Sequence, residues 1–342
     1  MALPSQNAES ASSMDLGHDD LRAMYRYMLM ARTVDQRMWI MNRQGRGPFA
    51  ISCQGHEAAQ VGSAFALTAG RDWICPYYRD AGAAITLGVS ILDIMLAFCA
   101  KAEDPFGGGR QLPNHYSNRR LRILSGSSSV GSQIPHASGI GLAAKYKGER
   151  LAVVTYFGEG ATSTGDFHAG LNFAAIHSLP VIFLAENNGW AISVPTAKQM
   201  NLDSVADRAR GYGVPGVAVD GTDILAVYQV TKAAVDCCLA GEGPTPIDSQ
   251  VYRPLPHSSD DDDSLYLPAG LKESFQDRDP IEKFRAELIA MDIWDQERDS
   301  ELRQRIRQDV NEAAAYAESR PEPDPADLWS HVYSDSPEPT RF

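Results

Sequence analysis

Two near-continuous apolar runs, Leu151 to Phe157 and Val181 to Ala185, stand out in a chain that elsewhere mixes apolar and polar positions. Runs of that length without a polar alternate read as strands buried on both faces. Between them, Phe167, Gly170, Leu171, Ala174 and Ala175 follow the i, i+3, i+4, i+7, i+8 spacing of a buried helical stripe, with Asp166 as the expected N-cap and Pro180 just past the end. Such a strand–helix–strand unit makes its two strands parallel with a right-handed crossover. Ligands of open parallel sheets bind just outside the carboxyl ends of the strands. The chain places Gly158-Glu159-Gly160 at the first such end and Asn187-Asn188-Gly189 at the second.

The remaining pattern extends the same architecture. Leu21, Met24, Tyr25 and Met28 predict a long helix from about Asp19 to Asn42, whose apolar side suits a partner subunit and packing within the chain equally well. Glu57 to Leu67 and Ile91 to Phe98 read as helices, with Asp72 to Tyr78 as a strand between them. A helical C-terminal section begins near Pro280 and closes at Pro321 to Pro325. No internal repeat or long interior linker divides the chain. The expectation is therefore a single α/β domain over residues 19–342, a mostly parallel sheet flanked by helices. Residues 1–18 lack a basic start and an apolar core, so they read as a disordered leader.

Composition narrows the class. With 342 residues and 44% hydrophobic content, the chain can bury a large core. A formal net charge of −13 argues against nucleic acid or an anionic membrane as a partner, and no apolar run reaches transmembrane length. The five cysteines form no C-x-x-C pair and are odd in number, which points to reduced core thiols and a cytoplasmic setting.

Glu159 and Asn188 both offer oxygen, which suits a hard cation such as Mg²⁺ completed by phosphate oxygens and water. Gly158 and Gly160 allow close backbone approach, and the helix N-terminus around Thr162 to Asp166 offers unpaired N–H groups to an anion. By itself, a Gly-acid-Gly turn is a common structural corner, and a non-catalytic Mg²⁺–nucleotide module would need no more than this unit. Gly139-Ile140-Gly141-Leu142-Ala143-Ala144 imitates a dinucleotide fingerprint, but no apolar strand leads into it. Its small residues suit tight helix packing instead. Arg79 is the best candidate for a planar fork on a diphosphate, the alternative being a surface ion pair with Asp80. His257, ahead of aspartates 260–263, reads either as a solvated loop residue or as a proton carrier whose pKa neighbouring carboxylates raise.

Glu159 and Asn188 in this setting resemble the diphosphate-binding motif of thiamine diphosphate enzymes, a Gly-Asp-Gly followed at similar spacing by Asn-Asn. More closely, the chain is similar to alpha subunits of the decarboxylating component of branched-chain 2-oxoacid dehydrogenase complexes, which have Gly-Glu-Gly there. The resemblance covers nearly all of residues 19–335. It includes Tyr77-Tyr78-Arg79-Asp80, Gly109 to Pro113, Gln133-Ile134-Pro135, Val219-Asp220-Gly221, Tyr252-Arg253 and His257 to Asp261. It implies the thiamine diphosphate-binding fold and oxidative decarboxylation of a 2-oxoacid, with acyl transfer to a lipoyl group on the acyltransferase core of the complex. Pyruvate or acetoin is the alternative substrate, and Gly158-Glu159-Gly160 with the aspartate-rich loop favours a branched chain.

The resemblance also assigns residues. Tyr78, Arg79, Ser128, Val130, Gly158, Gly160 and Ala161 would face thiamine diphosphate, together with Glu159 and Asn188. Mg²⁺ would sit on Glu159, Asn188 and the backbone carbonyl of Trp190, which replaces a Tyr of some relatives. Ser127, Ser132 and Gln133 correspond to a potassium site of some members. His257 takes the catalytic histidine's place. The Glu that activates the pyrimidine ring would come from a beta subunit, two alpha chains assembling with two beta. Leu255 replaces a frequent Gly, and Glu186 replaces a basic residue, so Glu186 should point away from the phosphates and leave Arg79 to meet their charge.

Overall fold

The computed structural model describes residues 15–330. Residues 1–14 of the expected leader and 331–342 of the C-terminal section lie outside the described residues. The chain runs through α1 (His18–Arg43), α2 (Glu57–Phe65), β1 (Trp73–Cys75), α3 (Ala81–Thr86), α4 (Ile91–Phe98), α5 (Gln133–Lys147), β2 (Val153–Gly158), α6 (Gly165–Ile176) and β3 (Val181–Asn187). A small hairpin of β4 (Trp190–Ala191) and β5 (Val194–Pro195) follows. After it come β6 (Val217–Asp220), α7 (Ile224–Ala240), β7 (Thr245–Gln250), α8 (Pro280–Ala290) and α9 (Gln296–Ser319).

Five strands form one parallel sheet in the order β1-β2-β3-β7-β6. Alternate residues of β2 and β3 serve opposite layers, as the unbroken apolar runs require. Val154, Tyr156, Ile182 and Leu184 join the core shared with α1 and α9, while Val153, Phe157, Val181 and Phe183 join the one shared with α5 and α6. Leu21, Met24, Tyr25 and Met28 of α1 are buried within this chain, so intramolecular packing accounts for the helix. The β2–β3 register pairs Gly158 with Glu186, which brings Glu159 and Asn188 out at the same edge.

Several local expectations are corrected. The N-cap of α6 is Thr164, whose hydroxyl accepts the Phe167 N–H at 3.3 Å, because a 3₁₀ turn over Glu159–Ser163 fills the space before it. Asp166 instead lies in the first helical turn, where its charge still complements the helix dipole. β1 stops at Cys75 rather than Tyr78, since Asp80 captures the Tyr77 N–H at 2.7 Å and turns the chain into α3. In the dinucleotide-like segment, which lies inside α5, a Cβ at Gly141 would come 2.9 Å from Val181, but Gly139 faces open space. All five cysteines are free, with Cys99 and Cys237 only half-buried. Among the described residues, no helix is long and apolar enough to cross a membrane.

Candidate active site

A cavity of about 430 Å³ opens at the carboxyl edge of the sheet. Glu159, directly after β2, is 2% exposed and forms part of its wall. No donor lies in hydrogen-bonding geometry with either carboxylate oxygen. Burial pushes its pKa up, and the nearby Asn188 N–H and Gln199 side chain offset only part of that push. A buried carboxylate left without partners is expensive, so its two free oxygens fit a cation brought from outside. The adjoining backbone is pressed against the β4 hairpin: a Cβ on Gly160 would fall 2.6 Å from that of Ala191. Only glycine fits there.

Asn188 follows β3 on the opposite side of the same opening. Its Oδ1 accepts the Trp190 N–H at 3.1 Å, and its Nδ2 lies 3.2 Å from His56 Nε2. Gly189, with φ at 84°, lets the chain reverse into the hairpin that brings Trp190 to the cavity.

Arg79 leaves the turn after β1 and is 2% exposed. One nitrogen, Nη1, donates to the Ser52 carbonyl, Nε has no partner, and the guanidinium sits 5.7 Å from the Tyr78 ring centroid. A surface ion pair with Asp80 is therefore excluded. Asp80 turns back to the Tyr77 N–H and lies near Glu186, whose charge adds to burial in raising the Asp80 pKa. Burial drives both carboxyl pKa values upward. Glu186 points away from the cavity as expected, but it points into the turn that carries Arg79. Its Oε2 accepts the Tyr77 hydroxyl at 2.8 Å and Gln60 Nε2 at 3.2 Å.

His257 reaches the cavity with its ring edge-on to Tyr78, centroids 5.9 Å apart. The expected rise in its pKa is overturned: burial, then the charges of Arg79 and Arg253, pull it down to about 4, and Asp261 only partly opposes them. The other aspartates face elsewhere. Asp263 bonds Lys272, while Asp261 takes the His257 backbone N–H at 2.7 Å. Arg253 is buried and braces the loop by donating to Ile192 O and Tyr266 Oη, both at 2.9 Å. Leu255 tucks against the core, giving the loop an apolar anchor.

The serine-rich loop contributes Ser127, Ser128, Val130 and Gln133 to the wall, and Ala161 lines it too. Ser132 does not join them, because its hydroxyl donates to the Ser129 carbonyl at 3.0 Å. Gln133 donates to Tyr156 O at 2.7 Å and keeps a buried, unpartnered Oε1. Two histidines escaped the sequence reading. His115 bridges Leu112 O and Ser128 Oγ, each at 2.6 Å, and His56 touches Asn188. The available signal for His56 was a polar Gln54-Gly55-His56-Glu57 stretch leading into an apolar helix.

The sequence profile of the dehydrogenase E1 component family matches residues 25–326. The chain is 48% identical over 321 residues to the 2-oxoisovalerate dehydrogenase subunit alpha of Bacillus subtilis, covering 93% of this chain and 97% of that one. It is 38% identical over 319 residues to the mitochondrial 2-oxoisovalerate dehydrogenase subunit alpha of Homo sapiens, with 93% and 71% covered. The pyruvate dehydrogenase E1 component subunit alpha of Staphylococcus aureus is 35% identical over 325 residues, with 95% and 85% covered.

Proposed function

The chain belongs to the dehydrogenase E1 component family, and we propose that it is the alpha subunit of a branched-chain 2-oxoacid dehydrogenase, decarboxylating a substrate such as 2-oxoisovalerate. The observation that carries this reading is Glu159: a carboxylate 2% exposed, with no donor in hydrogen-bonding geometry, in the wall of a cavity that also presents Arg79 and Asn188. Mg²⁺ fits the oxygens of Glu159 and Asn188 with the carbonyl of Trp190. Arg79 and the Gly160–Ala161 backbone at the start of the 3₁₀ turn, which line the cavity, fit the diphosphate. Bound there, thiamine diphosphate supplies the carbon nucleophile and the electron sink for loss of carbon dioxide.

The chain's own residues bind, orient and move a proton. Arg79 keeps its charge buried and ready because Ser52 holds only one of its nitrogens. Tyr78 packs between Arg79 and His257. Arg253 stands on the Nδ1 side of the His257 ring, 3.5 Å away, which favours the tautomer with its proton on Nε2. An arriving anion opposes the depression imposed by Arg79 and Arg253, so His257 becomes easier to protonate as the site fills. That timing suits a general acid for acyl transfer to a lipoyl sulfur. A potassium ion on Ser127 and Gln133 would rest on a thinner set, with Ser132 turned away.

The reading includes a beta subunit completing the pocket, a lipoylated acyltransferase core as acyl acceptor, a cytoplasmic location, and one cofactor domain over residues 19–342. The experiment is calorimetry on the coexpressed alpha–beta assembly, with thiamine diphosphate or NAD, each with Mg²⁺, followed by kcat/KM for 2-oxoisovalerate, pyruvate and 2-oxoglutarate. Mg²⁺-dependent binding of thiamine diphosphate and preference for 2-oxoisovalerate are expected. Binding of NAD alone would leave a nucleotide module, and preference for pyruvate would reassign the substrate.

A further inference from the structure

Asn188 carries an oxygen and an amino group at the two tips of one carboxamide, and only the oxygen can hold a cation. A half-turn about its terminal bond would exchange the two. The neighbours decide the direction. The Gln54 carbonyl can only accept, so His56 Nδ1, 3.2 Å from it, bears the ring proton. His56 Nε2 is then a bare lone pair, and the Asn188 amino group donates to it at 3.2 Å. The Trp190 N–H donates to Asn188 Oδ1 at 3.1 Å, which the reversed carboxamide would meet donor against donor.

His56 is 0% exposed and cannot turn to follow a reversed amide. Its loop is clamped at Gly55, where φ is 85° and a Cβ would fall 2.2 Å from the Tyr252 carbonyl. Glu57 takes the Gly55 N–H at 2.8 Å and is itself held by Arg32. The geometry points to His56 as a positioning residue for the divalent cation: its bare Nε2 holds the Asn188 carboxamide with the oxygen toward the cavity. This inference rests on the Mg²⁺–thiamine diphosphate reading of the site. Hydrogen bonds behind a metal ligand of this kind are worth about 10–100-fold in metal affinity.

The test titrates the alpha–beta assembly with Mn²⁺ at saturating thiamine diphosphate and follows the free-ion signal by electron paramagnetic resonance. Wild type should bind Mn²⁺, and Asn188→Ala should lose that binding; either failing would overturn the site reading itself, and the inference with it. His56→Met fills the volume without a strong acceptor and should weaken Mn²⁺ binding about 10–100-fold. His56→Gln restores an acceptor oxygen and should return affinity close to wild type. Unchanged affinity in His56→Met overturns the positioning role while leaving the site intact. A folded His56→Gln as weak as His56→Met overturns the acceptor argument, and since this variant keeps a polar group it remains informative if His56→Met does not fold.

Discussion

Glu159→Gln separates what this buried carboxylate does to the ligand-free fold from what it does when the proposed cofactor is bound. In the empty protein both carboxylate oxygens are buried without a partner, a penalty of about 1–3 kcal/mol and more for a charged group. Burial raises the folded-state pKa above the unfolded one. The folded state therefore holds this proton more tightly, and Glu159's contribution to stability is most favourable below the unfolded pKa and declines as pH rises through the folded pKa. The neutral amide escapes that decline, so at pH 8 the empty variant should be more stable than wild type by about 1–2 kcal/mol, and at pH 5 the difference should be smaller. Ligand reverses the order: Mg²⁺–thiamine diphosphate at about 100 times its Kd adds about 2.7 kcal/mol to wild type, and the variant should gain little. The assay is the thermal midpoint of the alpha–beta assembly at pH 5 and pH 8, with and without ligand. An empty variant that melts below wild type at pH 8, or one that gains the full ligand shift, would refute the reasoning.

Arg79→Lys should weaken cofactor binding measurably by calorimetry, because one ammonium cannot reproduce a two-pronged contact; equal affinity would show that Arg79 does not meet the diphosphate. Glu186→Ala strands the buried Tyr77 hydroxyl and the Gln60 amide, which should destabilise the assembly by about 1–3 kcal/mol in chemical denaturation. Glu186→Gln keeps an acceptor oxygen for the Tyr77 hydroxyl and should lose much less. His257→Ala should lower acyl transfer to a lipoylated domain by about 10²–10⁴-fold while sparing decarboxylation read with an artificial electron acceptor, and wild-type rates in both assays would leave His257 a wall residue with no part in proton transfer.

The centre of the site was legible because regular elements carry it. The apolar runs of β2 and β3 place Glu159 and Asn188 at a common edge, and Ile91–Phe98 matches its helix with Ser90 as the cap. What stayed hidden depends on contacts without a sequence period. The His56–Asn188 contact spans 132 positions, and nothing in the local pattern announces it. The aspartates after His257 invited an upward pKa shift, yet burial and two arginines rule there, since a charge acts through distance and dielectric rather than through adjacency in the chain. Pro76 to Tyr78 read as the end of a strand, and the Asp80 side chain, by capturing the Tyr77 N–H, turns the chain away after Cys75.

The strand order β1-β2-β3-β7-β6 sets a schedule for the chain as it leaves the ribosome. Among the described strands β6 pairs only with β7, and β7 is also the strand that closes the open flank of β3. Until residue 250 has emerged, β3 ends in a bare row of amides and carbonyls, and β6 has no neighbour at all. Glu159 and Asn188 are synthesised earlier, but the loop that holds Arg253 and His257 follows β7 and cannot take its place before that insertion. A nascent chain stalled before β7 should therefore be protease-sensitive, with β3 unprotected, and full protection should wait for α8 and α9 to cover the core they share with α1.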